Sequence, residues 1–321
     1  MENRNIDYQK KEDFIDLGEI IKILLNKKLL IIFIILISAV ISIFIAKSTP
    51  NIYRSSALLE PQESQSSSRA ASSIPSGLGG IASLAGIQMP SSSGDRGLYA
   101  IEVIKSKIFF KNLLEKDNDY ILISLMAMKS YDISTSKAEY DKKIYDFNEK
   151  LWVRAVKGNR KITPTYIEAH EHYLSILEIF KDKKTGYVYM AIDHESPVFA
   201  QYLLDKIIVE INEITKLNEI QEASDAIDYL TLKQESAGIA SIKLSINNLI
   251  ESQLQALMMS SIRSESLLKI IDPPVVPEIR ISPNRAFICI TGVFFGFIFS
   301  IFFVLIAHFV KQNVLASHKN L

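Results

Sequence analysis

The segment SESLLKIIDPPVVPEIRISPNR, residues 264–285, determines how we interpret the rest of the chain. Its first part, residues 264–272, has the apolar centre of a short strand, which the first proline stops. Because proline fixes φ and lacks an N–H, the prolines that follow predict a semi-rigid extended spacer that is neither helix nor sheet. These prolines are Pro273, Pro274, Pro277 and Pro283.

The spacer leads into an apolar run, AFICITGVFFGFIFSIFFVLIA, residues 286–307, with no charge among its 22 residues. As a helix it would be roughly 33 Å long, against about 30 Å for the hydrocarbon core of a bilayer. A second uncharged run covers residues 29–46. That run is long for a signal peptide, and a charged leader precedes it, which favours an uncleaved anchor. The sequence therefore predicts transmembrane helices at 29–46 and 286–308.

Two spans place both termini on one side of the membrane and the 239 residues of 47–285 on the other. Lys22, Lys27 and Lys28 before the first span give a slight bias towards cytoplasmic termini. We therefore divide the chain into a cytoplasmic segment 1–28, an extracytoplasmic domain 47–285 and a cytoplasmic tail 309–321.

Composition does not favour a nucleic-acid-binding protein or a domain held together by disulfides. Thirty-six basic and 36 acidic residues give a formal net charge of zero, which does not favour nucleic-acid binding. The only cysteine, Cys289, lies in the second predicted span, so the large domain forms its core without a disulfide.

The first part of the large domain has mixed signals. Residues 51–59 predict a strand that Pro61 stops, and the Ser/Gly-rich residues 62–97, with an apolar insert from Gly77 to Gly86, predict mostly loop. Helices are predicted at 98–114 and 163–180, and a strand at 186–195. This part is a mixed α/β domain.

A different pattern begins at Pro197. Apolar residues at helical spacing predict a helix of about 35 residues, and a second stripe follows Gly238. The simplest geometry is an antiparallel helical hairpin over 197–263, with one long helix kinked at the glycine as the alternative. We expect the strands at 51–59 and 264–272 to pair, so the fold class is α+β. A membrane-proximal base, residues 47–196 and 264–285, would carry the projecting hairpin between two transmembrane helices.

Two stretches resemble a known family. PNIYRSSALLEP at 50–61 follows the first span, and LIESQLQALMMSSIRSESLLKIIDPPVVPEIRISPNR at 249–285 precedes the second. In this order they are similar to the Wzz chain-length determinants, the polysaccharide co-polymerases. The resemblance implies a bacterial inner-membrane protein with a periplasmic domain that forms ring-like homo-oligomers. It further implies control of the length of O-antigen or a related lipopolysaccharide or surface polymer with a Wzy-type polymerase, near lipid-linked polysaccharide.

One branch of that family carries a cytoplasmic tyrosine kinase. This sequence has no G-x-x-x-x-G-K-[ST] phosphate loop, and it resembles the kinase-lacking branch. We therefore expect a non-enzymatic protein without a cofactor. The residues that match the family pattern, and to which we assign polymerase coupling, are Pro50, Tyr53, Asp272, Pro273, Pro274, Pro277 and Pro283.

Three histidines are candidates for acid–base or metal chemistry. His170 and His172 are two residues apart on a predicted helix, and no H-E-x-x-H pattern is present, so we interpret them as a solvated helix face and not a metal site. His194 could act as an acid or base only beside a nucleophile, and the sequence has no nucleophile motif such as G-x-S-x-G. We therefore interpret it as a polar residue at the end of a strand. We expect no catalytic residue and no metal.

Small residues recur along both predicted spans. Gly292 and Gly296 form G-x-x-x-G, which Ser300 extends, while Ser38 and Ser42 give a similar stripe on the first span. Such stripes let helix backbones approach closely, so we expect the spans to pack on each other or on neighbours through these faces.

Three other functions remain open. A periplasm-spanning adaptor of a polysaccharide ABC exporter would share two anchors and a helical hairpin. A sensor would need a cytoplasmic signalling module, for which neither predicted flank has room. An enzyme acting on glycans would have to cleave or join polysaccharide when purified.

Overall fold

The computed structural model describes residues 17–62, 95–156, 158, 160–236 and 238–318. The Gly77–Gly86 insert lies outside these residues. The chain divides into two compact units, one of Met1–Pro50 with Pro283–Leu321 and one of Asn51–Ser282. We call them the helix unit and the α/β unit.

The described residues alternate between helices and strands in mixed order. In chain order these are α1 (Leu17–Asn26), α2 (Lys28–Ser48), β1 (Ile52–Pro61), α3 (Arg96–Lys105), α4 (Lys107–Glu115), α5 (Tyr120–Ala127), β2 (Met128–Asp132), β3 (Lys137–Tyr140), β4 (Tyr145–Asp146), β5 (Leu151–Trp152), α6 (Tyr166–Ile176), β6 (Leu177–Lys181), β7 (Val188–His194), α7 (Pro197–Ser236), α8 (Ala240–Ile262), β8 (Leu268–Asp272), β9 (Arg280–Ser282) and α9 (Arg285–His318).

Two helices of the helix unit are long and apolar enough to cross a membrane. They cover Lys28–Ser48 and Arg285–His308, within two residues of the predicted spans. Helix α1 and the continuation of α9 to His318 were not predicted from the sequence.

The main sheet of the α/β unit is antiparallel, with strand order β6-β7-β1-β8 and with β9 also paired to β1. The predicted pairing of the strands that lie next to the two apolar helices in sequence is confirmed, since β1 pairs with β8 from Leu58 to Pro61. Alternate residues of β1 are buried, as expected for a sheet with one face covered. That face packs on the first half of α7.

Two helix predictions were too long. The predicted helix 98–114 is broken at Ser106, whose backbone is extended (φ −73°, ψ 148°) and whose Oγ accepts a hydrogen bond from the N–H of Phe109 at 3.2 Å. Ser106 thus ends α3 and caps α4. The predicted helix 163–180 ends at Ile176, and Leu177–Lys181 instead pairs with β7, because tertiary pairing overrides the local helical pattern.

The predicted hairpin is confirmed, and the single kinked helix is wrong. With its 40 residues, α7 is about 60 Å long. It runs antiparallel to α8, because Lys216 Nζ donates to the carbonyl of Ser261 at 2.8 Å near one end, while Gln234 bonds to Asn247 near the other.

The spacer prediction was partly wrong. Residues 273–279 lie outside helix and sheet, as expected, but Arg280–Ser282 forms β9 on the edge of β1. The three prolines between 273 and 277 cannot donate to a strand ladder. From residue 278 to 282 no proline intervenes, so pairing can resume.

Candidate functional site

The segment from Ile271 to Ser282, which we call the proline edge, runs along one side of β1. Leu58 of β1 pairs with Asp272, and Tyr53 pairs with Arg280. Four residues of β1 therefore lie opposite seven residues of the partner strand, 273–279. The excess produces a wide irregular segment in an otherwise paired edge, as β-bulges do on a smaller scale.

The wide segment is tied to β1 by a side chain. Ser55 Oγ donates to the carbonyl of Val275 at 2.9 Å, and Pro274 is buried. Most other side chains of the proline edge are exposed and apolar, with exposed fractions from 45% for Ile271 to 81% for Ile279. The proline edge is therefore anchored to β1, but within the part of the chain that the structure describes most of its apolar side chains are exposed to solvent.

The structure separates the family-pattern residues into two groups. Tyr53 is buried in β1, and Asp272, Pro273, Pro274 and Pro277 belong to the same α/β unit. Pro50 and Pro283 are the boundary residues of the helix unit.

The small-residue faces of α2 and α9 meet within the helix unit. Ser38 Oγ donates to the carbonyl of Gly292 at 2.7 Å. A Cβ added at Gly292 would lie 2.7 Å from Cβ of Ser42, and one at Gly296 would lie 2.5 Å from Cβ of Ser38. At such separations only glycine fits, so the close packing of α2 on α9 depends on both glycines.

Ser300 has a different environment from the other small residues. It is fully buried, and its Oγ donates to the carbonyl of Phe297 at 2.7 Å within α9.

A polar cluster that was not predicted from the sequence joins α3 to the end of the helical hairpin nearest the main sheet. Arg96 Nη2 donates to Glu219 Oε1 and to the carbonyl of Ser266, both at 2.9 Å. Glu219 Oε2 also accepts from Ser260 Oγ at 3.0 Å. One arginine of α3 therefore connects both hairpin helices and the chain that enters β8.

A second missed residue is Asn212 of α7, which is 4% exposed. Its Oδ1 accepts hydrogen bonds from the N–H groups of Leu267 and Leu268, and its Nδ2 donates to the carbonyl of Leu268, each at 2.9 Å. The sequence did carry a signal, because an asparagine interrupts the apolar stripe of α7 directly after Ile211. A buried amide in such a place requires partners.

Comparison with known proteins supports one family. The family model described as "Wzz: Chain length determinant protein" matches residues 13–116. Residues 13–116 are therefore similar to Wzz chain-length determinants.

Two solved structures are similar to the chain, at low identity. A full-length bacterial polysaccharide co-polymerase is 14% identical, with a TM-score of 0.40, and the match covers 94% of this chain and 99% of that one. A fragment of WzzB, a polysaccharide co-polymerase from Salmonella Typhimurium, is 11% identical, with a TM-score of 0.30, over 72% of this chain and 100% of that one. No curated protein matches. Because both TM-scores are low, the assignment rests on the Wzz family match.

The residues that match the Wzz model contain only part of the candidate site. Ser38, Ser42, Pro50 and Tyr53 lie inside the matched residues, whereas the proline edge and the two glycines of α9 lie outside them. Within each unit the fold brings matched and unmatched residues together, because β1 pairs with β8 and β9, and Ser38 of α2 bonds to Gly292 of α9.

The histidines occupy two kinds of environment. His172 is exposed, as predicted, but the prediction of a solvated position was wrong for His170, which is 5% exposed. Its Nε2 bonds to the carbonyl of Lys105 at 2.8 Å, and its ring lies 5.7 Å from that of Phe110. Within the described residues no group of three His, Cys, Asp or Glu could hold a metal ion.

His194 is the last residue of β7 and is buried against Phe199, with 4.4 Å between ring centroids. Burial lowers the pKa of His194 to about 4, so it is neutral at pH 7. Burial also raises the pKa of the neighbouring Glu195. The 3.4 Å approach of these two side chains is therefore not an ion pair at neutral pH.

Proposed function

We propose that this chain is a non-enzymatic regulator of polysaccharide chain length in the bacterial inner membrane. It would form a homo-oligomeric, ring-like scaffold with a Wzy-type polymerase and would act on lipid-linked polysaccharide, an O-antigen or a related surface polymer. The observation that carries this proposal is the Wzz match over residues 13–116.

The composition of the hairpin supports self-association. Within the described part of the chain α8 has no buried residue, although it contacts α7 along its length. Leu254, Met258 and Ile262 follow one another at four-residue spacing and are 44%, 54% and 80% exposed. Only Lys243 and Glu251 carry charge among the 23 residues of this helix. A helix so apolar and so uncovered is expected to pack on another protein surface, and the proposed occupant is a second copy.

The proposed topology follows from the two apolar helices. If both cross the membrane, the α/β unit lies entirely on one side, between their ends in sequence. The lysines before α2 favour cytoplasmic termini, so we place the α/β unit in the periplasm.

Coupling to the polymerase is assigned to two surfaces. The first is the exposed apolar part of the proline edge. The second is the outer faces of the two apolar helices. These faces are available for a partner because the helices contact each other through their inner faces, where Ser38 bonds to Gly292. A rigid segment suits this role, since less conformational entropy is lost when it binds.

The test is a gel of surface polysaccharide from cells that lack this chain, cells in which it is restored, and cells restored with Pro277→Ala and Pro283→Ala together. We expect deletion to replace a clustered modal band by scattered lengths, and the proline variant to shift the mode. Pro164→Ala, a loop proline outside the proline edge, serves as the matched control and should keep the original mode.

Two results would contradict the proposal. An unchanged length distribution after deletion would remove the regulatory role. Loss of polymer from the surface, with accumulation inside the cell, would favour the exporter adaptor. The oligomer is tested separately by light scattering of the full chain in detergent, where Leu254→Glu with Met258→Glu should lower the subunit number. The exposed Ser245→Glu on the same helix is the control and should leave the mass unchanged.

A further inference from the structure

A cluster of aromatic rings lies in the two small hairpins formed by β2–β3 and β4–β5. The ring centroid of Phe147 is 4.3 Å from that of Tyr140 and 5.0 Å from that of Tyr145, and Tyr145 is 5.0 Å from Trp152. Four rings thus form one connected group. Of these, only Trp152 packs against the main hydrophobic core.

The rings of this aromatic cluster differ in exposure. Tyr145 is 6% exposed and supports the group from inside, whereas Phe147 is 49% exposed. Two rings pack behind Phe147, and its outer side faces solvent. An aromatic ring that is rigidly supported and open on one side provides apolar contact area at little cost in conformational entropy.

Exposed polar groups of both hydrogen-bonding types lie close to Phe147 in the chain. Asn148, Glu149 and Lys150 follow Phe147 in the same loop and are exposed, and so are Lys142 and Lys143, in the turn that joins Tyr140 to Tyr145. Together they offer amide and ammonium donors and amide and carboxylate acceptors.

The charges of this surface are nearly balanced. The carboxylates of Asp141 and Asp146 already accept backbone N–H groups, of Lys143 and Asn148, each at 2.8 Å. Residues 141–150, which form the turn and the loop, contain three lysines and three acidic residues. Such a surface does not favour a polyanion or an anionic membrane, which would require a strong excess of positive charge.

The chemistry fits a sugar chain. A pyranose ring has an apolar C–H face that packs on an aromatic ring, and each of its hydroxyls both donates and accepts hydrogen bonds. We propose that Phe147, framed by Lys142, Lys143, Asn148 and Glu149, is a glycan-binding site that holds the polysaccharide whose length the chain regulates. This inference rests on the proposed function for its ligand, but its geometry stands independently.

The only tryptophan of the chain reports directly on this cluster, because Trp152 contacts Tyr145. The full chain in detergent is titrated with oligosaccharides released by mild acid from the cells' own surface polysaccharide, and the emission of Trp152 is followed. We expect a saturable change. Phe147→Ala should weaken binding by about tenfold or more, because the contact area of the ring is lost, whereas Phe147→Tyr should stay within about threefold of the original.

The matched control is Tyr229→Ala, which removes another exposed aromatic side chain, 60% exposed, on α7. Its binding curve should coincide with that of the unmodified chain. Because Phe147 lies in an exposed loop, circular dichroism should show Phe147→Ala to be as folded as the unmodified chain.

Three results would overturn the site: no saturable change with the oligosaccharides, equal affinity in Phe147→Ala and the unmodified chain, or Phe147-dependent binding only to phosphatidylglycerol vesicles. The gel experiment on deleted cells separates this inference from the proposed function. Loss of the modal band without oligosaccharide binding refutes the site alone. Oligosaccharide binding with an unchanged band refutes the regulatory role alone.

Discussion

Asn212 fixes the hairpin to the sheet at the point where the chain leaves α8 and enters β8. The carbonyl of Leu268 accepts from Nδ2 of Asn212. The N–H of Gln62 donates to the carbonyl of Leu267 at 2.8 Å, so the next pair along the antiparallel ladder, Pro61 with Leu268, is one whose backbone groups do not bond to each other. Leu267 and Leu268 are at most 1% exposed, so no solvent replaces the asparagine. The amide therefore satisfies backbone groups that the sheet itself leaves without partners.

Asn212→Ala removes the partners of two buried N–H groups and one buried carbonyl. Each such group costs about 1–3 kcal/mol when it is left unsatisfied. Allowing for partial relaxation, we expect the free energy of unfolding to fall by about 3–5 kcal/mol, a large part of the total stability of an ordinary domain.

Urea unfolding of the full chain in detergent, followed by the emission of Trp152, measures this loss. The control is Asn247→Ala, which removes an exposed asparagine of the same hairpin and should change stability by less than about 0.5 kcal/mol. Asn212→Leu, of similar volume, should be nearly as unstable as Asn212→Ala if hydrogen bonds and not packing are responsible. A loss below 1 kcal/mol in Asn212→Ala, or equal effects at the two asparagines, would refute the reasoning.

Three further predictions concern other parts of the chain. Gly292→Val should separate the apolar helices, measured as lost disulfide cross-linking between cysteines placed on their facing sides. Gly238→Ala should change nothing, because a Cβ added there would meet no atom within 4 Å. Since the pKa of His194 is about 4 when folded and 6.5 when unfolded, the unfolded chain binds the extra proton between these values. Unfolding free energy should therefore hold above about pH 6.5 and fall by about 3 kcal/mol by pH 4, a slope that His194→Gln should flatten. Arg96→Met should lower stability by about 1–3 kcal/mol in urea, whereas Lys129→Met, at an exposed ion pair, should be neutral.

Long periodic signals predicted the fold well. Patterns of ten or more residues predicted the two apolar helices and the helical hairpin. The pairing of β1 with β8 was predicted from the positions of these strands near the apolar helices in sequence. In these elements local preference and tertiary packing agree, so the sequence is sufficient.

Short elements could not be predicted in the same way. Ser106 gives the same local signal as a mid-helix serine, and only its extended backbone shows that it separates two helices. The strand Leu177–Lys181 depends on β7, which lies beyond a turn. The aromatic cluster joins residues from two hairpins, so ring spacing along the chain did not reveal it.

The prolines of the proline edge have a clearer role in the folded chain than in the sequence alone. Along β1 the residues between Tyr53 and Leu58 face a segment that cannot complete a ladder, because Pro273, Pro274 and Pro277 lack the N–H that pairing requires. Restoring an N–H at 277 would let the ladder extend from β9 towards β8 and draw exposed residues such as Val276 into the sheet. The pairing of Ile52 with Ser282 then matters, since it holds together the two points where the chain enters and leaves the α/β unit. A shift in this register would alter the exposed apolar surface, so the proline substitutions test the proline edge as a proposed coupling surface.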